Sequence, residues 1–535
     1  MNKIKYIIIT ILAVIHQTVT TIMDLSIFTV SPWANTVDYV TCKVCAFFAS
    51  WAFFYMVWQV FVEKDGILRG NKDNRNTASR VVIKALPYLV IMIPVCIFKL
   101  RGGYLSNDET LIYENAVTLT HYTWFYYITT YYYIISLMLI PHMYAPIFVK
   151  LIIEYLTIGY IVLRSSDYFA ARQSGPFIKK PVKIGYGALI MVLFVLYPVI
   201  AYTTSAHRLP IYFLLYLLLM TMLLFDRLEQ AILTKRRLIT IILLGCILTQ
   251  WRTEGIYLVV LIPILVHLTY EKIFITAGKT YNLKDKKIFI TSLVIFLLCQ
   301  YLVSIPQNGL IAHEMGAAAD DRMKPFYAYT ITNMYRNGLD LDKNAGDLEI
   351  VDRYISLESL EKISDYYGDI NYEDVLILYQ PGFIGVREEA GITEYYDFVA
   401  ALKRIFKNNP QVFLRTRIGA FIYAALPYHI NFTGSDPRAL AGLAVSIVKT
   451  LSYNLFIPLI TILFLCLYSL ARGRWFTFFA TGGVLAHWFI VFILAPASYF
   501  KYYFPVYMTA YLYLFLIIIA GLYNRKHPAK IKILQ

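Results

Sequence analysis

The chain has 535 residues, of which 59% are hydrophobic and only 16% charged. An ordinary soluble domain is about 45–50% apolar and about 25% charged. So much apolar surface cannot be hidden in one or two water-soluble cores, which excludes a cytosolic enzyme, a disordered chain and a secreted disulfide scaffold. What remains is an all-α polytopic membrane protein.

The net charge of +15 is unevenly spread. Segment 305–411 holds 18 acidic and 10 basic residues, which leaves about +23 for the short loops between the apolar runs. That asymmetry is the positive-inside pattern of a membrane protein and not the footprint of a nucleic-acid binder. It places the acidic segment outside and the basic loops in the cytoplasm. The six cysteines lie in or beside apolar runs, as small buried hydrophobes do. The Cys42–Cys45 pair lacks the second half of a zinc site.

Lys3 and Lys5 precede an apolar run, 6–23, with no small-x-small cleavage site after it. It reads as an uncleaved first helix with its N-terminus inside. A second span at 40–62 leads into a basic loop, 63–84, and a third at 82–99 leads outward. Residues 100–142 are polar, then aromatic. Because the basic loop 164–183 must lie inside after a span at 143–163, segment 104–141 reads as an outer loop with helices on the membrane surface, where Tyr and Trp are favoured. Further spans are expected at 184–203, 210–226, 237–250, 255–270 and 287–304. After the mostly helical outer segment, 412–450 reads as surface helices or a hairpin, followed by spans at 452–470, 476–495 and 503–522. The total is twelve spans with both termini cytoplasmic. The organisation is an N-terminal membrane region, 1–304, an extracytoplasmic insertion, 305–411, and a C-terminal membrane region, 412–535, with a basic tail.

Four polar clusters fall at the outer ends of these spans. Asn107-Asp108-Glu109 follows a Gly102-Gly103 turn. It serves either as a helix start with acids in its first turn or as a carboxylate that takes a proton from an acceptor. Trp251-Arg252-Thr253-Glu254-Gly255 is a short turn between apolar runs. Arg252 there can fork a phosphate or simply pair with Glu254. Ser304-Ile305-Pro306-Gln307, followed by His313, Glu314, Asp320, Asp321 and Arg322, opens the outer segment. Tyr499-Phe500-Lys501-Tyr502 begins the last span, where Lys501 either snorkels to headgroups or meets a phosphate. Lys150 and Glu154, four apart in an apolar helix, can pair on one face. Two look-alikes are set aside. Asp340 and Asp342 form a DxD without a nucleotide-binding pattern around it, and the run from Asp340 lacks the Gly and Glu of a calcium loop.

In this order, NDETLIYENA, WRTEGIYLVVLIPIL, SIPQ, NPQVFLRTRIG and FKYYFPVYMTAYLYL resemble the GT-C superfamily of integral-membrane glycosyltransferases. The nearest comparisons are the protein O-mannosyltransferases, the aminoarabinose transferases that modify lipid A, and their bacterial relatives. The resemblance covers most of residues 82–522. Two features depart from the pattern: Lys501 stands where relatives commonly have Arg, and two helices precede the expected first span. The resemblance implies transfer of a sugar from a polyprenyl-phosphate donor to a cell-surface glycan, lipid or protein on the outer face. Asp108 would be the base and Glu109 its orienting partner. Arg252, Lys501 and Arg322 would hold the donor phosphate, and His121, Glu254 and Tyr502 would contact substrate. No metal or other cofactor is expected, although metal dependence stays open. The Ile-, Tyr- and Lys-rich composition looks bacterial, which points to a bacterial plasma membrane. Two other classes fit the same architecture: a polysaccharide polymerase or ligase, using Arg residues of the large outer loop, and a transporter or flippase, for which Lys150 and Glu154 are the one mid-membrane pair.

Overall fold

The computed structural model describes residues 2–29, 35–68, 75–100, 107–121, 125–172, 176–178, 184–276, 279–282, 286–307, 323–367, 385–387, 390–427, 437–527 and 530–534. The Gly102-Gly103 turn and the residues His313, Glu314, Asp320, Asp321 and Arg322 lie outside the described residues. The chain divides into two compact units. The first comprises Met1–Ile311, Thr461–Gly483 and Met508–Gln535, and the second Ala312–Ile460 and Val484–Tyr507.

The first unit opens with α1 (Asn2–Ile27), α2 (Thr36–Val57, continued by a π turn to Val62) and α3 (Thr77–Leu100). Two short helices, α4 (Asn107–Thr118) and α5 (Tyr127–Leu139), follow. Neither reaches the roughly 20 residues that a bilayer requires. α4 starts with Asp108 and Glu109 in its first turn, where the positive end of the helix dipole favours carboxylates. α4 and α5 share a core with the ends of α1 and α2, through Phe28, Cys42, Ile112, Ala116, Tyr133 and Ile134. The Val117 carbonyl accepts from Thr29 N–H at 2.9 Å, and Leu119 O accepts from the Asn35 amide at 2.8 Å.

α6 (Ala145–Ala170) has proline in its first turn, where no N–H is needed. It leads through a two-stranded antiparallel sheet, β1 (Pro176–Ile178) and β2 (Ile184–Gly185), to a 3-10 helix, Tyr186–Val195, and α7 (Tyr197–Thr203). α8 (Leu209–Leu228), α9 (Lys235–Trp251), α10 (Leu258–Thr269) and α11 (Lys286–Ile305) complete this run. Between α8 and α11 lies a small sheet: β3 (Leu233–Thr234) runs parallel to β4 (Lys272–Thr276), and β4 pairs antiparallel with β5 (Lys279–Asn282). At this end of the helices a buried carboxylate, Asp226 of α8, takes Arg164 of α6 at 3.1 Å and Arg237 of α9 at 2.9 Å. The Tyr270 hydroxyl, just beyond α10, donates to it as well. One charge node thus ties the ends of four helices.

The second unit holds α12 (Lys324–Arg336), α13 (Ala345–Asp352), α14 (Leu357–Tyr367), α15 (Ile392–Asn408) and α16 (Pro410–Ala425). Tyr329, Met334, Val351, Phe398, Leu402 and Ile405 form its core. α12 ends through Gly338, whose φ of +85° suits glycine, with Leu339 N–H closing back on the Met334 carbonyl. α17 (Pro437–Ser452), α18 (Phe456–Ala471), α19 (Trp475–Leu494), a 3-10 turn at Phe500–Tyr503 and α20 (Phe504–Lys526) finish the chain.

Among the described residues, eight helices are long and apolar enough to cross a membrane, or nine if the 3-10 helix Tyr186–Val195 and α7, bent by 66°, count as one span. This is an all-α multi-pass membrane protein, and the described residues do not by themselves account for twelve spans. The expected spans at 237–250, 255–270 and 287–304 fall on α9 and on apolar helices of 10–17 residues at Thr253–Thr269 and Phe289–Ile305. α9, with 17 residues, rises about 26 Å, short of a hydrocarbon core about 30 Å thick, whereas α11 as a whole has 20 residues. In the segment 412–450, expected as surface helices or a hairpin, α16 ends at Ala425 and α17 runs into a candidate span, Gly442–Ala471.

Candidate functional site

The first turn of α4 meets the turn between α7 and α8. Glu109 is buried. Its Oε2 lies 3.2 Å from His207 Nδ1, and its Oε1 lies 3.7 Å from Arg208 Nη1 and accepts the Arg208 backbone N–H at 3.3 Å. Asp108 stands beside it with 48% of its side chain exposed and Oδ2 4.0 Å from Arg208 Nη1. The Arg208 guanidinium lies over the Phe125 ring, 4.4 Å from its centroid, and its Nε and Nη1 hydrogens are buried without a hydrogen-bond acceptor among the described residues. Beneath the carboxylates, burial first and the Glu109 charge second push the Tyr133 phenol well above its ordinary value, which keeps it a neutral hydroxyl.

The other sequence clusters of this unit meet the same helical layer. Trp251 Nε1 donates to the Arg208 carbonyl at 3.2 Å, and its ring lies 5.5 Å from that of Tyr132 on α5. Gln307, at the end of the third cluster, is buried and accepts the Tyr127 N–H at 2.6 Å. The Tyr127 hydroxyl returns a bond to Val303 O at 2.7 Å. The SIPQ turn therefore caps the start of α5.

Arg252 points elsewhere. Its Nε and Nη2 form a fork onto Glu254, at 3.1 and 2.6 Å, so both residues take part in a local pair. His121 follows the far end of α4 and is not gathered with Asp108. Its Nε2 lies 3.2 Å from Asp38 Oδ2, and its ring tilts against Tyr131, whose hydroxyl donates to the same carboxylate. Burial and that carboxylate push the Tyr131 phenol up.

Lys501 and Tyr502 belong to the second unit. Lys501 Nζ lies 4.7 Å from the centroid of the Tyr499 ring, and the Tyr502 carbonyl stands 3.0 Å from His487 Nε2. Among the described residues, no three His, Cys, Asp or Glu side chains gather as a metal-binding group would require.

No protein-family model, curated protein or solved structure matches the chain.

The arrangement combines an accessible carboxylate, a guanidinium with unmet donors and a neutral phenol. Chemically this suits proton removal from a hydroxyl beside an anionic group. The sequence reading missed His207 and Arg208. Their signal was a His-Arg pair in the five-residue turn between α7 and α8, at an end of the helices that the charge pattern reads as outer, where few basic residues are expected.

Proposed function

We propose that the chain is a membrane glycosyltransferase that moves a sugar from a polyprenyl-phosphate donor to a cell-surface acceptor, on the outer face of a bacterial plasma membrane. The observation that carries this reading is Asp108, half-exposed, 4.0 Å from a guanidinium that a buried Glu109 holds in place. Both termini are cytoplasmic in this reading, and the α4 layer faces outward. Asp108 takes the proton of the acceptor hydroxyl. The acceptor oxygen attacks the anomeric carbon, the bond from that carbon to the phosphate oxygen breaks, and polyprenyl phosphate leaves with the electron pair. Arg208 meets the charge that develops on the phosphate, where fixed cations act most strongly. Arg252, forked onto Glu254, is given no part in this step, and Glu109 holds the site without touching the acceptor.

The test is Asp108→Asn at normal expression, compared with wild type and with a deletion strain. The expected result is loss of one surface glycan substituent with accumulation of its polyprenyl-phosphate donor. If the deletion alters glycan and donor pools while Asp108→Asn leaves them as in wild type, Asp108 is not the base, and the weight passes to a polymerase or a flippase.

A further inference from the structure

Two ionisable residues of α6 are buried among its packed positions. Lys150 and Glu154 sit one turn apart, with 1% and 0% of their surface exposed. Lys150 Nζ lies 3.7 Å from Glu154 Oε1. Neither Glu154 oxygen has a hydrogen-bond donor among the described residues, so Lys150 is its counter-charge and little else is. Buried charges in a membrane helix are costly, and apolar side chains of similar volume would pack there more cheaply.

What Lys150 holds gives the pair a role. Its ammonium donates to the carbonyl of Thr203 at 2.8 Å and to that of Ser205. Thr203 is the last residue of α7, whose C-terminal carbonyls form the negative end of its dipole and favour a cation. The Tyr88 hydroxyl of α3 stands 2.6 Å from Thr203 Oγ1. Ala206 is buried against Ile147 of α6, with Tyr144 and Leu151 around them. The next two residues are His207 and Arg208, which Glu109 grips from the opposite side. The turn 203–208 is thus held between α6 and α4.

We infer that the Lys150–Glu154 pair is a positioning device for Arg208: Glu154 fixes the Lys150 ammonium, Lys150 fixes the carbonyls of the turn, and the turn presents the guanidinium beside Asp108. What Arg208 binds rests on the glycosyltransferase reading. That Lys150 sets where His207 and Arg208 stand does not.

The experiment uses the full chain in lipid nanodiscs and two readouts. The first is binding of a polyprenyl phosphate, with the unphosphorylated polyprenol as control, to wild type, Lys150→Met, Lys150→Arg, Glu154→Gln, Arg208→Met and the double variant Lys150→Met/Arg208→Met. Lys150→Met should weaken binding about tenfold, and the double variant should bind no more weakly than Arg208→Met alone, because residues that act through one another are not additive. Effects that multiply in the double variant overturn the inference. The second readout needs no ligand. It is the imidazole ¹⁵N signal of His207, assigned by its loss in His207→Gln. That signal should move in Lys150→Met and Glu154→Gln and stay in place in Tyr270→Phe, which removes one bond at the opposite end of the helices. An unmoved signal in the α6 variants overturns the inference. If Lys150→Met does not fold, Lys150→Arg, which keeps the charge with a different reach, carries both readouts. If Arg208→Met leaves phosphate binding unchanged, the donor reading of the site fails, and the His207 signal still decides the positioning role.

Discussion

Glu109 Oε2 lies 3.2 Å from His207 Nδ1, and this contact joins the start of α4 to a turn that the chain reaches only after α5, the long helix α6 and α7. Neighbouring carboxylates in the sequence therefore take opposite roles. Glu109 is buried and committed, while Asp108 is half-exposed and open to a substrate. Glu109→Gln removes a buried charge from beside His207 and the Arg208 guanidinium and should lower stability by about 1–3 kcal/mol. Asp108→Asn should change stability by less than about 0.5 kcal/mol and lower transfer by about 10²- to 10⁴-fold, the usual weight of a general base. Thermal unfolding in detergent together with transfer rates in membranes separates the two. A destabilised Asp108→Asn with normal transfer per folded molecule would reverse the assignment.

Two arginines compete for the phosphate role, and their partners differ. Arg252 forks onto Glu254 two residues away, whereas Arg208 keeps two buried N–H groups without acceptors among the described residues. Arg208→Lys loses the planar fork and should lower transfer by about 10²-fold, as removal of one fixed donor at a developing charge does. Arg252→Lys keeps a positive charge beside Glu254 and should leave transfer near the wild-type rate. Donor-dependent rates of both variants, normalised to folded protein, provide the check; the opposite ranking returns the phosphate to Arg252.

What the sequence made legible follows from what each signal measures. Composition counts apolar surface, so the all-α membrane class was readable. The acidic start of α4 was readable because Asp108 and Glu109 stand where a helix dipole wants them. Among the described residues eight or nine of the twelve expected spans are long and apolar enough to cross, because a hydropathy window cannot see where a helix stops. Near Gly255, a side-chain carbon would sit 2.5 Å from the Leu248 carbonyl, so the chain doubles back tightly there and α9 ends early. His207 and Arg208 were not legible, because only the fold brings their turn to Glu109. Gln307 was noticed as part of a polar cluster, but its partner, the Tyr127 N–H, is a backbone group that no side-chain pattern reveals.

The crossing of α3 and α6, whose Tyr88 and Lys150 both reach Thr203, depends on one glycine. A Cβ at Gly159 would lie 2.4 Å from the Val81 carbonyl and 2.9 Å from Ala85 Cβ. Small residues allow such close approach in membranes. Gly159→Ala should force the helices apart and cost about 1–3 kcal/mol. Gly482 in α19 is the control, since nothing lies within 4 Å of its Cβ position. Gly482→Ala should be neutral or stabilise by up to about 1 kcal/mol through helix propensity. Thermal unfolding of the two variants tests the contrast, and equal midpoints would show that the crossing adjusts freely.

In the second unit Arg417 is fully buried with no carboxylate paired to it among the described residues. Burial pushes its guanidinium down from its ordinary value, against the pull of the Tyr329 and Tyr503 phenols. Its Nε donates to the Phe492 carbonyl at 2.7 Å and its Nη2 to that of Ala495 at 3.0 Å. The reason lies in the sequence. The residue four beyond Phe492 is Pro496, which has no N–H to complete the last turn of α19. Arg417 supplies the donor that the proline withholds, at the helix end where a cation is favoured. Arg417→Met should leave the Phe492 carbonyl buried and unsatisfied, at a cost of about 1–3 kcal/mol. Adding Pro496→Ala to that variant returns a backbone N–H within reach of the carbonyl and should recover about 1 kcal/mol. If unfolding shows that Pro496→Ala lowers stability equally in the wild-type and Arg417→Met backgrounds, the carbonyl is not what Arg417 serves.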